Sequence, residues 1–292
     1  MQLINICVQN KIKYIDKEVI NFFPMAYDNY EYMKNITYYE KNNDKSECFT
    51  LPLSEIIILD GMGVDLIVNK KDNTLKSREY IYNDIEELSK NIKFNLDAIK
   101  IKNTMQVCKY FSEKNEDYIF NVPGVMSILN GMIEITKIFK AIRKNKETME
   151  IVFYKIRKYI LKYLKEAFKN GVRVISYSDP ILRDGIMSKK ESNWIMEKFT
   201  YELMNDLKEV MPSNAIVHIC PHNIKLMEAA GIVKMQDFNL EKDYYNKLVF
   251  ELKEKENFVG GMCINSRIKT NEIKKIELIK REIGLCLEKK KL

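Results

Sequence analysis

Only two histidines, His218 and His222, occur in this 292-residue chain, and both fall within IVHICPHN, residues 216–223, beside Cys220. If this stretch is a strand, alternation puts His218 and Cys220 on one face and Ile219 on the other, with the two donors about 6 to 7 Å apart along the strand. One metal ion can bridge an imidazole and a thiolate at that separation. Zinc matches best, because it accepts mixed nitrogen and sulfur ligands in tetrahedral geometry, and three protein ligands leave one position open for a substrate. The third donor must come from elsewhere. Cys263 is the candidate, since it too ends a predicted strand, two βα units later, whereas Cys286 follows a predicted helix. Pro221 breaks the strand and makes His222 a loop residue or a partner of a ligand. The plainer alternative is packing, because buried cysteines commonly serve as small hydrophobes.

A zinc site with thiolate ligands and an open position has a distinctive use. It lowers the pKa of a coordinated thiol, so that a thiol substrate is held as the thiolate and can take a methyl group by direct displacement. Hydrolytic zinc sites more often carry His and carboxylate ligands. A second candidate is Asp179, in VISYSDP, residues 174–180, where a strand runs into Asp-Pro. It either orients a substrate or simply caps a turn. Tyr177 shares its face by alternation and is a candidate to line the pocket.

The elements that must position these residues form a βα series. Short apolar runs either side of Gly61 and Gly63 read as a strand or short helix, a turn and a second strand. From about residue 82, Ile85, Leu88, Ile92, Leu96 and Ile99 recur at helical spacing. YIFNVPG, 118–124, reads as a strand ending in a Pro-Gly turn, and a long helix follows with Ile151, Ile156, Ile160, Leu164 and Phe168 on its buried stripe and Gly171 at its stop. Strands are then predicted at VRVISYS, AIVHIC, IVKMQDF and NFVGGMCIN, alternating with helices, the last helix being TNEIKKIELIKREIG. Serial βα units make a parallel sheet, open or closed as a barrel, with function at the carboxyl ends of its strands. Asp179, His218, Cys220, Asp237 and Cys263 all fall at such ends.

Length suits one barrel of about 250 residues or two smaller domains. The formal charge of +7 is spread along the chain as lysine, which argues for a solvated surface and against a nucleic-acid face. Six scattered cysteines in a chain of this size read as reduced thiols. No apolar run reaches the roughly 18 to 20 residues a membrane span requires, and the first residues lack the pattern of a secretory leader. The expectation is a cytoplasmic protein.

With GVRVISYSDP followed by IVHICPHN, the chain resembles the uroporphyrinogen decarboxylase superfamily, in particular its cobalamin-dependent methyltransferases that methylate thiols such as coenzyme M. NVPGVMSIL, 121–129, is similar to that family's Gly-Pro-Phe segment, with Val125 and Met126 replacing the usual residues. The resemblance covers roughly residues 80–275. It implies an α/β fold of the TIM-type (β/α)8 barrel kind, one domain over 1–292 with a divergent part at 1–75, shortened or degenerate at its ends. It further implies zinc on His218 and Cys220, with Cys263 as third ligand, Asp179 as the acid at the end of an earlier strand, methylcobalamin or a corrinoid protein as methyl donor, and a small thiol as acceptor. Pro221 stands where the family has Gly. A decarboxylase is disfavoured, because it needs early arginines to clamp substrate carboxylates and none precedes Arg78. A non-catalytic barrel acting as a binding protein in a methyl-transfer system is the remaining alternative.

Overall fold

A computed structural model describes residues 27–43, 48–51, 56–68, 75–182, 185–266 and 268–279. Its main sheet has seven strands: β1 (Phe49–Thr50), β2 (Tyr118–Pro123), β3 (Val174–Ser178), β4 (Ile216–Ile219), β5 (Val233–Asp237), β6 (Phe258–Gly260) and β7 (Lys274–Leu278). They lie in the order β1-β2-β3-β4-β6-β7-β5. From β1 to β6 every neighbouring pair is parallel, whereas β7 is antiparallel to both β6 and β5. Among the described residues no ladder joins β1 to β5.

Alternation along the strands divides the core in two. Ile119, Val174, Ile216 and Val259 form one row and pack with Tyr245, Leu248, Val249 and Phe250 of the helix Tyr245–Glu251. The other row, Phe120, Val122, Ile175, Tyr177, Val217 and Ile219, packs with the larger apolar cluster that the remaining helices bring to the opposite face. Burial on both faces explains why these strands read as continuous apolar runs rather than as polar-apolar alternation. The first face is therefore covered by the Tyr245–Glu251 helix.

Helical spacing located the long helix Lys146–Lys169, whose buried side includes Ile156, Ile160, Leu164 and Phe168. Ile151 is the exception and stays 52% exposed, because the stripe enters through Met149, Val152 and Phe153 and leaves residue 151 on the outer side. Gly171 follows with φ +91°, and a Cβ there would sit 2.0 Å from Ser112 Oγ. Glycine is thus required by conformation and by space. The pattern from Ile85 to Ile99 breaks into two helices, Ile85–Asn91 and Ile99–Glu113, and Ile99 is exposed at the start of the second.

The predicted last helix is the clearest departure. Residues 274–278 form β7, with Ile276 buried between the half-exposed Lys275 and Glu277. Its five-residue pairing with β5 and its pairing with β6 satisfy backbone groups on both sides, a tertiary gain that outweighs the local helical spacing. The sheet is consequently mixed at this end instead of wholly parallel. No described helix is long and apolar enough to cross a membrane.

Candidate functional site

His218 lies on β4 opposite Ser176 of β3 and Val259 of β6, and is 1% exposed. Its Nε2 is 2.9 Å from the carbonyl oxygen of Met262 and its Nδ1 is 3.5 Å from Ser176 Oγ. A carbonyl only accepts, so Nε2 carries the proton. Burial pushes the imidazole pKa down to about 4, against the opposing pull of the Met262 carbonyl. His218 is neutral at pH 7, with its lone pair on the Nδ1 side. The ring meets Tyr245 edge-on, centroids 5.7 Å apart at 78°.

Cys220 continues the strand by one residue, its N–H donating to the Tyr177 carbonyl at 3.0 Å, and it then serves as N-cap of the helix Pro221–Ala229. Pro221 takes the first helical position, where a missing N–H costs nothing, so His222 sits in the first turn of a helix rather than in a loop. Cys263 follows β6 beyond Gly261, whose φ of +131° turns the chain, and its carbonyl accepts from the Ser266 N–H at 2.9 Å. Tyr245 lies beside His218, its phenol buried; burial raises its pKa against the opposing pull of the Met262 backbone, and the charges of Cys263 and Cys220 add to the rise. His218, Cys220 and Cys263 thus lie toward the same end of the sheet, on β4, just past it, and in the loop after the neighbouring β6.

Sharing one end of the sheet is not the same as forming a ligand set. Nitrogen and sulfur donors suit zinc chemically, but Nε2 of His218 is committed to Met262. Among the described residues no three His, Cys, Asp or Glu side chains converge as metal ligands. As arranged, these residues do not fit the ion. Cys286 lies outside the described residues, and Asp237 ends β5 at the surface, paired with Lys274 at 3.0 Å.

Asp179 is 1% exposed and fully engaged. One carboxylate oxygen accepts from the Met126 N–H at 2.7 Å; the other accepts from Ser127 N–H at 3.2 Å and Ser127 Oγ at 2.9 Å. It thus caps the helix Val125–Asn130, whose own N-cap Gly124 has no side chain to do so. A Cβ on Gly124 would lie 2.4 Å from Asp179 Cβ. Burial nonetheless raises the Asp179 pKa to about 6, outweighing these hydrogen bonds. Tyr177 does share the Asp179 face, but this is the face turned away from His218: its hydroxyl is 3.5 Å from Thr200 Oγ1.

Asn223 escaped the sequence reading. Fully buried, it accepts the Asp179 N–H at 2.8 Å and donates to the Asp179 carbonyl at 3.2 Å, which ties the end of β3 to the helix after β4. Its place in CPHN, just past a predicted strand end, was the available signal. Beyond the clamp, a cleft of about 440 Å³ opens between Ser127, Asn130 and the segment carrying Lys76 and Arg78.

Parallel strands with helices, and the chemistry-bearing side chains at their carboxyl ends, define an α/β protein of the TIM-type barrel class. The model of the uroporphyrinogen decarboxylase (URO-D) family matches residues 10–261, and the chain belongs to that family. Among solved structures, a methyltransferase from Methanosarcina mazei superposes with a TM-score of 0.59 at 17% identity, over 72% of this chain and 63% of that one. This chain therefore matches less than two thirds of the length of that structure. No curated protein sequence matches it.

Proposed function

We propose that this chain is a methyltransferase of the family, moving a methyl group between a corrinoid, carried as methylcobalamin or on a partner corrinoid protein, and a small thiol. Family membership and the likeness in shape to a methyltransferase support the reaction class. One observation carries the location: the neighbouring strands β4 and β6 end side by side, so that Cys220, past β4, and the loop carrying Cys263, tied to His218 through Met262, share one end of the sheet. The thiol is received at this pole. Asp179 positions and does not react, since both its oxygens are taken by the 126–127 turn. The proposal does not depend on a metal.

A second reading has its own observation. The Tyr245–Glu251 helix fills the face on which His218 stands, which favours a binding protein of a methyl-transfer system that performs no chemistry itself. Demethylation of methylcobalamin, followed by absorbance with a panel of thiols, separates the two. Thiol-dependent acceleration by the wild type, reduced at least tenfold in Cys220→Ala and Cys263→Ala, is the expected result. No acceleration with any thiol, together with binding of a methylated corrinoid protein, would establish the second reading instead.

A further inference from the structure

We infer that His218 is a clasp of the fold in this chain, fastening the 261–266 loop across the end of the sheet, and is not a metal ligand. A ligating imidazole must present a lone pair to the ion. Nε2 cannot, because the Met262 carbonyl at 2.9 Å requires a proton on it. The remaining lone pair, on Nδ1, faces Ser176 of β3 at 3.5 Å. The nitrogen able to bind thus faces β3, whereas Cys263 belongs to the loop that follows β6, the neighbour on the other flank of β4.

Neither the other tautomer nor a reversed ring repairs this. Moving the proton to Nδ1 sets the Nε2 lone pair against the carbonyl oxygen's own, and reversing the ring puts a carbon there; in both cases the Met262 carbonyl loses its donor. Tyr245 packs edge-on against the imidazole, and Leu248 and Val249 of the same helix lie with Tyr245 in one apolar cluster. The clasp also accounts for the position of Met262. It follows the positive-φ Gly261, where a Cβ would stand 3.0 Å from the Glu272 carbonyl oxygen, so the turn carries the Met262 carbonyl back toward β4.

This inference is independent of the methyl-transfer reading, which is tested by turnover. Here the readouts are zinc content and thermal unfolding of the reduced full-length chain, with and without added zinc, for wild type, His218→Gln and His218→Ala. Gln can place an amide N–H near the Nε2 position but is a poor zinc ligand. The clasp predicts zinc far below one per chain, no zinc-dependent shift in melting, His218→Gln within a few degrees of wild type, and His218→Ala lower by roughly 5 °C or more. About one zinc per chain in the wild type, lost in both variants, would overturn it. So would a His218→Gln protein that melts as low as His218→Ala. Should His218→Ala fail to fold, zinc content and melting of wild type and His218→Gln still decide the matter.

Discussion

Replacing Asp179 by Asn removes one ionisable group and nothing else that titrates, so its effect on stability should depend on pH in a calculable way. The folded carboxyl has a pKa of about 6 in place of 3.8, raised by burial. A carboxyl whose pKa is raised on folding favours the folded state fully below the unfolded value, and that contribution is lost as pH rises through the folded value. Over the full range the loss is about 3 kcal/mol, at 1.36 kcal/mol per unit. Between pH 5 and pH 7 it is about 1 kcal/mol, because part has already gone by pH 5. Asn should keep the acceptor for Met126 N–H but turn an NH₂ toward Ser127 N–H, a penalty that does not change with pH. Urea unfolding of both proteins at pH 5, 6 and 7 isolates the titrating part, since every other group cancels in the difference. The wild type's advantage over Asp179→Asn should shrink by about 1 kcal/mol from pH 5 to pH 7. An advantage that stays constant from pH 5 to pH 7 would mean that the folded pKa is not raised and that the hydrogen bonds from residues 126 and 127 match or outweigh burial, refuting the assignment of cause.

Gly124→Ala should destabilise by about 1 to 3 kcal/mol in the same assay, since the new methyl group meets Asp179 at 2.4 Å while the φ of −77° is one any residue tolerates. Asn223→Ala strands the Asp179 N–H in a buried site, while the Asp179 carbonyl keeps the Leu182 N–H at 3.0 Å, and should cost about 1 to 3 kcal/mol; a loss well under about 1 kcal/mol would show that water reaches the turn.

Elements with regular spacing were legible in the sequence, and those decided by pairing were not. The 3.6-residue period found the 146–169 helix to within its ends, and the apolar runs found β2, β3, β4 and β6 in order. The same period mistook β7 for a helix, because a short strand packed between two others needs only one buried residue, Ile276, to hold its register. At the site, alternation separated His218, which meets Tyr245, from Ile219, which joins the larger cluster on the opposite face. It could not show that Met262 would claim the imidazole, since that contact joins residues 44 apart in sequence. Asp179 was recognised as a strand-end acid with two possible roles; its engagement with residues 126 and 127 depends on how β2 and β3 align. Asn223 carried no periodic signal.

The place of β7 also bears on how the chain is made. It is the latest described strand in sequence, yet it sits inside the sheet, between β6 and β5. During synthesis, β5 has been made before β7 exists, and its backbone groups stay unpaired until residues 274–278 emerge. An open strand edge invites pairing with another nascent chain. The late arrival of one five-residue segment thus sets the interval during which the polypeptide on the ribosome is most exposed to misassembly.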